Sequence, residues 1–394
     1  MSKMSIRDLS KNELENRSVL VRVDFNVPLK DGQVSDDTRI VSALPTIKYL
    51  KENGAKVVLV SHLGRPKGRD TKNSLKPVAD YINSNTDIKV KFLEDCIGDN
   101  IESEIKNGKA GDIFLLENVR FYPEEEKNDK SFAEKLSKLA DLYVNDAFGT
   151  AHRAHASTEG VASFLPAYSG FLMEKEINFL SKALNPEKPF VAIIGGSKIS
   201  SKIGVLKNLI EKTDTLIIGG AMTYTFLKSM GQNVGKSLVE DDYLDTAKEI
   251  MSKAKELNCK LIIAKDHVCA ESIDDESGST FDFIPENMSA FDIGDKTIAE
   301  IKDELLKAKT VVWNGPMGVF EKSAFANGTN EVAKILASLH DKGVITIVGG
   351  GDSVAAIEQV GLSDKFSHIS TGGGASLEFL EGIELPGIKA LKDK

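Results

Sequence analysis

Hydrophobic positions along this chain fall into short, nearly continuous runs separated by amphipathic stretches. In the first half the runs are 19–23, 57–60, 88–92, 113–116 and 142–144. Segments of helical periodicity, such as 40–52 and 131–139, lie between them. Runs that are apolar at successive positions suit strands covered on both faces. Their alternation with helices predicts a doubly wound parallel sheet. The second half repeats the pattern at 190–198, 215–222, 260–266, 310–318, 344–351 and 368–374. Each of these runs ends in glycine or a polar turn and leads into helix-forming sequence, which predicts a second parallel sheet. The fold class is therefore α/β, with two doubly wound, Rossmann-like domains.

One amphipathic segment, 170–184, divides the two patterns. Met173, Ile177, Leu180 and Leu184 recur at helical spacing, and Leu172, Phe179 and Ala183 add a second apolar row. Ser169-Gly170 precedes the helix and Asn185-Pro186 stops it. At 1.5 Å per residue it spans roughly 20 Å. The halves on either side differ in kind. All eight arginines precede the helix, the last being Arg153, and every Gly-Gly pair follows it. This predicts a first domain over 1–170, a hinge helix over 171–184 and a second domain over 185–379.

Composition narrows the class. A chain of 394 residues exceeds one ordinary core. No apolar run approaches the ~18–20 residues of a membrane span, and the N-terminus lacks the apolar core of a signal peptide. Cys96, Cys259 and Cys269 form neither a disulfide framework nor a metal-binding spacing, which fits a reducing cytoplasm. A formal charge of −9 argues against a nucleic-acid binder. An anionic ligand must then be held by local positive charge.

In doubly wound sheets, ligands bind beyond the carboxyl ends of the strands. In the first half those ends carry Asp24-Phe25-Asn26-Val27-Pro28, His62-Leu63-Gly64-Arg65-Pro66, Glu117-Asn118-Val119-Arg120-Phe121 and Asn145-Asp146-Ala147-Phe148-Gly149, followed by His152-Arg153-Ala154-His155. Arg39 follows Asp36-Asp37-Thr38, which resembles an N-cap cluster. A lone arginine is most often a solvated surface charge, and Asp-Phe-Asn alone could be turn chemistry. Recurrence of such groups at successive strand ends points instead to a shared anion site, for which the guanidinium fork is suited. His152 and His155 lack a third ligand at metal spacing.

In the second half the strand ends carry glycines, which let backbone N–H groups approach a phosphate. In Gly195-Gly196-Ser197-Lys198-Ile199-Ser200-Ser201-Lys202 the two lysines are four apart, placing them on one face of a first helical turn. Like charges there oppose the helix dipole unless an anion sits between them. In Gly349-Gly350-Gly351-Asp352-Ser353, the bland reading is an N-cap. The sharper one is phosphates on backbone N–H groups, with Asp352 on Mg²⁺. The stretch Gly231-Gln232-Asn233-Val234-Gly235-Lys236-Ser237 is one residue short of a P-loop and follows a helix-like stretch, so it is rejected. No G-x-G-x-x-G occurs.

An arginine basin on one half, with glycine cradles and lysines on the other, fits phosphoryl transfer, which needs alignment and charge neutralisation more than covalent catalysis. The residues alone leave an acyl phosphate, a sugar phosphate or an amino-acid phosphate open as substrate. A non-catalytic bilobal protein holding anions or nucleotide is the alternative.

The ordered set of motifs then becomes specific. Asp24-Phe25-Asn26-Val27-Pro28, His62-Leu63-Gly64-Arg65-Pro66, Leu116-Glu117-Asn118-Val119-Arg120-Phe121-Tyr122, Asn145-Asp146-Ala147-Phe148-Gly149, Gly219-Gly220-Ala221-Met222, Trp313-Asn314-Gly315-Pro316, Gly349-Gly350-Gly351-Asp352-Ser353 and Ser370-Thr371-Gly372-Gly373-Gly374-Ala375 together resemble the phosphoglycerate kinase family. The resemblance implies reversible phosphoryl transfer between 1,3-bisphosphoglycerate and ADP, giving 3-phosphoglycerate and ATP, in glycolysis with Mg²⁺. It also implies a cytoplasmic monomer that closes by hinge-bending and whose tail, 380–394, returns to the first domain.

By position, Asp24, Phe25, Asn26, Arg39, His62, Leu63, Gly64, Arg65, Arg120 and Arg153 resemble the phosphoglycerate-binding set. Arg39, Lys202 and Gly373 resemble the groups that stabilise the transferring phosphoryl. Lys198, Lys202, Gly219, Gly220, Ala290, Asn314, Glu321, Gly350, Gly351, Asp352 and Ser353 resemble the nucleotide side, with Glu321 toward the ribose and Asp352 on the metal. Ala290-Phe291-Asp292 stands where the family usually reads Gly-Leu-Asp, and Asp295 where it commonly has proline.

Overall fold

The computed structural model describes residues 2–394. Two units are present. One runs to Asn178 and takes in Glu384–Lys394, and the other is Phe179–Ile383. Each is built on a six-stranded sheet whose strand pairs are all parallel.

In the first unit the sheet order is Lys91–Phe92, Ile113–Leu115, Lys56–Val60, Ser18–Arg22, Leu142–Asn145, Ala167–Ser169. The continuous apolar runs form these strands because helices cover both faces. Every residue of Ser18–Arg22 is buried. Ile40 and Ile47 of the helix Thr38–Glu52 pack with Val19, Val21, Val57 and Leu59 in one core. Ser18–Arg22 lies between Lys56–Val60 and Leu142–Asn145. The connections leave it in opposite directions, which opens a crevice at its carboxyl end.

The second unit follows the same rule. Its order is Lys260–Ile262, Thr215–Ile218, Phe190–Ile194, Thr310–Asn314, Ile345–Gly349, His368–Ile369. Phe190–Ile194 lies between Thr215–Ile218 and Thr310–Asn314, so its switch point falls at Gly195. The run at 260–266 departs from expectation. Only Lys260–Ile262 is a strand of the main sheet, and no helix follows directly. The chain instead forms an antiparallel sheet of Ser279–Phe281, His267–Ala270 and Ser289–Ile293. Ser279 and Thr280 are exposed and polar, so the strand Ser279–Phe281 carries no apolar signature. Ala167–Ser169 and the ribbon of Leu29–Lys30 with Gln33–Val34 were also beyond the reach of the pattern, being two or three residues long.

The dividing helix is Phe171–Leu184, and the boundary between the units falls within it, between Asn178 and Phe179. Met173, Ile177, Leu180 and Ala183 are buried, while Leu172, Phe179 and Leu184 are half-buried. Its N-terminus is capped from a distance rather than by Ser169, whose hydroxyl donates to the Met4 carbonyl. Thr46 Oγ1 accepts from Phe171 N at 2.9 Å, and Asp146 Oδ1 accepts from Leu172 N at 2.9 Å and Met173 N at 3.3 Å. Gly170 has no side chain because a Cβ there would run into the Asp146 carboxylate.

Residues 384–394 complete the first unit. Gly387 N donates to Ala151 O at 2.8 Å, Lys392 N to Ala167 O at 3.0 Å, and Met4 N to Lys392 O at 2.8 Å. Lys3 pairs with Asp393 at 2.8 Å.

Asp146 is fully buried, and that burial pushes its carboxyl up to about 7, against the backbone N–H groups that favour the ion. The folded form therefore binds more protons than the unfolded chain between the ordinary carboxylate range and neutrality. This group's contribution to stability falls as pH rises through that window. Asp146→Asn removes the titration. Between about pH 5 and about pH 7.5 the variant should gain on the order of 2 kcal/mol relative to the parent. Urea unfolding of both at the two pH values measures it, and parallel stabilities would show that Asp146 stays ionised throughout.

Candidate functional site

The crevice at the Ser18–Arg22 strand end is lined by cations. Arg22 is fully buried at the last strand position. Its Nε donates to Ser157 Oγ at 2.9 Å, its Nη1 to the Val23 carbonyl, and its Nη2 to His62 Nδ1 at 3.0 Å. A guanidinium only donates, so His62 Nδ1 accepts and the ring proton lies on Nε2. Burial first, then the charges of Arg22, Arg120, Arg153 and Arg39, hold His62 well below the usual imidazole range. His62 is thus a neutral donor, and four arginines are close enough to act on it.

The other strand ends are tied to the same place. Arg39 Nη1 donates to Asp24 Oδ2 at 2.8 Å and to Asn26 O at 3.1 Å. Asn26 Oδ1 accepts from Gly64 N at 2.9 Å, and Arg120 Nη1 donates to Gly64 O at 2.7 Å. Asn118 fixes the turn before Arg120, accepting from Leu63 N and Arg120 N and donating to Leu63 O. Arg120 Nε lies 3.2 Å from Glu126, and Arg153 Nε donates to His152 Nε2 at 3.3 Å. His155 is pushed down to about 4, chiefly by burial and then by Arg120, Arg22 and Arg153. Arg65 is exposed. Phe25 and Leu63 are core side chains. Phe25 N donates to Ser61 Oγ at 2.9 Å.

At the N-cap cluster, Asp36 rather than Asp37 receives Thr38 N, at 2.9 Å. Sequence reading also missed Arg22, Ser157 and Glu125. Arg22 sits inside an otherwise apolar strand, which reads as a flaw in the pattern unless it faces a site. Glu125 is fully buried and accepts from Ser157 Oγ at 2.6 Å and Ser157 N at 2.8 Å.

In the second unit, three strand ends meet backbone to backbone. A Cβ on Gly195 would strike the Pro316 carbonyl, and one on Gly315 the Gly195 carbonyl. Two neighbouring cavities open there. One, of about 320 Å³, is lined by Gly196, Ser197, Lys202, Asn314, Gly350, Asp352 and Gly373 among others. The second, of about 520 Å³, shares Gly196, Pro316 and Asp352 and extends to Gly220, Tyr224, Lys236, Ala290, Phe291, Val319 and Glu321.

Lys202 lines the smaller cavity, its ammonium donating to Asn314 Oδ1. Burial lowers its pKa, opposed by Asp352 and Glu381. Asn314 Nδ2 is buried with no hydrogen-bond partner among the described residues, a donor aimed where a ligand oxygen would be stabilised. The two lysines do not share a helical turn. Lys198 is exposed before a 3-10 turn, Ile199–Ser201, and Lys202 caps the helix Ile203–Leu209. The 3-10 turn separates them, so Lys198 lies before the helix and Lys202 at its cap.

Ser353 Oγ accepts from Gly315 N at 2.6 Å, so this hydroxyl holds a strand end. Gly219 is buried, and a Cβ there would meet Met317. Lys236 and Tyr224 had been passed over. Lys236 lies in the rejected P-loop look-alike, a loop whose Ser237 Oγ accepts from Ala290 N.

Among the described residues, no group of three or more His, Cys, Asp or Glu side chains could hold a metal ion. Asp352 offers one exposed carboxylate between the two cavities. A hard cation there would take its remaining oxygens from phosphate and water. That is how Mg²⁺ is commonly held, through one or two carboxylates plus substrate phosphates.

The profile of the family described as phosphoglycerate kinase matches residues 6–383. Phosphoglycerate kinase of Dictyoglomus turgidum is 56% identical over the full length of both chains. That of Thermosipho africanus is 56% identical over 100% of this chain and 99% of its own. The structure resembles phosphoglycerate kinase from Coxiella burnetii, with a TM-score of 0.91, 42% identity and 98% of each chain covered. The Pyrococcus horikoshii enzyme matches with a TM-score of 0.82 and 34% identity, again over 98% of each.

The neutral histidines can be checked in solution. At about pH 6, where a free imidazole is mostly protonated, His62 should remain neutral with its proton on Nε2, and His155 should titrate only near 4. Imidazole ¹⁵N shifts report both. Protonation of His62 at that pH would overturn the assignment of its Nδ1 as acceptor.

Proposed function

The chain belongs to the phosphoglycerate kinase family, and from that membership we propose how its residues carry the reaction. The activity is that of an ATP-dependent phosphotransferase of glycolysis, reversibly transferring a phosphoryl group between 1,3-bisphosphoglycerate and ADP. A non-catalytic bilobal anion binder has no support.

One observation supports the division of labour. The arginine basin lies in one unit, while the glycine-lined cavities with Lys202 lie in the other. In this reading, 3-phosphoglycerate takes the basin. Arg39, Arg65, Arg120 and Arg153 grip its anionic groups, His62 donates through Nε2, and Asp24 and Asn26 orient Arg39. Phe25, Leu63 and Gly64 shape the strand ends beneath it. The nucleotide takes the larger cavity, with base and ribose against Gly220, Ala290 and Glu321. Its phosphates run into the smaller one, along Gly350, Gly351 and Asn314. Gly219 and Ser353 support that cavity from behind, and exposed Lys198 meets the phosphates from outside.

In the direction that consumes ATP, a carboxylate oxygen of 3-phosphoglycerate attacks the terminal phosphorus as the bond to the ADP oxygen breaks. The nucleophile is already an anion and ADP leaves as one, so no general base is needed. This accords with the neutral state of His62 and His155. What the protein must supply is positive charge around the equatorial oxygens. We assign that to Arg39 and Lys202, with the backbone at Gly373 assisting. Asp352 would hold Mg²⁺ carried with the nucleotide, which would supply neutralisation of phosphate charge.

With donor and acceptor on separate units, transfer requires hinge-bending. We place it in the helix Phe171–Leu184, a connecting element between the two units, with the tail 384–394 rather than 380–394 on the first. The reading further describes a monomeric, cytoplasmic enzyme acting on small molecules, without nucleic-acid or membrane partners. No helix among the described residues is long and apolar enough to cross a membrane.

A coupled assay with ATP, Mg²⁺ and 3-phosphoglycerate tests the reading, which fails if both ligands bind without turnover. Arg39→Ala should lower kcat by roughly 10²–10³ while ADP affinity is unchanged. An equal loss of ADP affinity would place Arg39 on the nucleotide side.

A further inference from the structure

Beneath the larger cavity lies a carboxylate that the reaction does not use. Asp292 is 1% exposed, on the strand Ser289–Ile293. Its Oδ2 accepts from Gly328 N at 2.7 Å, in the first turn of the helix Asn327–Ser338, and its Oδ1 from Ile293 N at 2.9 Å. A Cβ on either Gly318 or Gly328 would strike this carboxylate, so it fills a niche that two glycines leave between strand, loop and helix. No cation contributes to its environment, and burial pushes the carboxyl up to about 7.

The same niche anchors the cavity wall. Val319 N donates to Phe291 O at 2.9 Å. Thr329, one residue beyond Gly328, accepts from Met317 N at 3.0 Å and from Gly318 N at 3.3 Å. The loop that carries Gly318, Val319 and Glu321 into the cavity is therefore tied to the Thr329 hydroxyl and the Phe291 carbonyl, while the Asp292 carboxylate holds the helix turn that carries Thr329 and packs against Gly318. Of the groups facing Asp292, Tyr224 is held un-ionised by burial, while Val268 opposite it and the helix turn at Gly328 and Thr329 do not titrate near neutrality.

We propose that Asp292 is a positioning residue for the nucleoside: its ionised carboxylate, packed against Gly318, fixes the Gly328–Thr329 helix turn that holds the Gly318–Glu321 loop, and so makes nucleoside affinity depend on pH. This rests on the placement of base and ribose in that cavity. The ion accepts both N–H groups strongly. Once protonated, it must turn one oxygen into a donor toward neighbours that are themselves donors.

Adenosine is the probe, because it has no group titrating near neutrality and needs no metal. Calorimetry on the full chain should show affinity rising severalfold from about pH 6 to about pH 8, through a midpoint of about 7. Asp292→Asn should weaken adenosine on the order of tenfold at the higher pH and abolish the pH dependence, as loss of one charged acceptor predicts. In turnover it should raise the KM for ADP and leave that for 3-phosphoglycerate unchanged. A flat parent profile overturns the proposal even if the variant does not fold. So does a folded variant with parental affinity and profile. If adenosine does not bind the parent chain at any pH, the placement of the nucleoside falls and takes this inference with it.

Discussion

Guanidinium groups repel one another, and the first unit is organised around containing that repulsion. Arg22, Arg39, Arg120 and Arg153 all bear on His62. Some of their charge is met by Asp24 and Glu126, and Arg22 reaches the buried Glu125 through Ser157. The rest is met by carbonyls at Val23, Asn26 and Gly64. The two histidines add no charge. The result is a basin held open by neutral acceptors, with positive charge left over for a polyanion. Buried ion pairs are costly when one partner is missing. In the proposed reading the remaining partner is the substrate, so charge complementarity and specificity have one origin.

The second unit meets its anion by another route. Its switch point is made of glycines because strand ends must pass within carbonyl contact of one another. Gly195 and Gly315 leave no room for a side chain. Backbone N–H groups carry only partial charge, so Lys202 and Asn314 Nδ2, which has no partner among the described residues, concentrate donors in the smaller cavity. In the proposed reading one unit binds with full charges on long side chains, and the other with dipoles fixed by the fold. A small acceptor with two anionic groups suits the first, and a long phosphate chain suits the second.

Much of this was legible in the chain itself. Strands such as Ser18–Arg22 and Thr310–Asn314 are buried on both faces, which leaves an unbroken apolar run. Arginines and glycines at strand ends fell at the two switch points because ligand chemistry requires them there. Ser279–Phe281 was not legible, because an exposed antiparallel strand has no apolar period. Asp146 and Asp292 were not recognised as buried carboxylates, since their partners are backbone groups distant in sequence. Arg22 was hidden because a charge in an apolar run makes sense only once His62 stands beside it. The lysine spacing misled because a 3-10 turn, not a helical turn, lies between Lys198 and Lys202.

The short stretch 384–394 has a further consequence for biosynthesis. Its pairing with Ala151, Ala167 and Met4 makes the second unit an insertion within the first. During synthesis, Phe179–Ile383 emerges entire before these contacts can form. The six strands of the first unit are made early, yet their last supports arrive after the whole of the second. The arginine basin therefore matures on a scaffold whose final stitches are the most recently made residues. The order of translation runs opposite to the order in which the two units are completed.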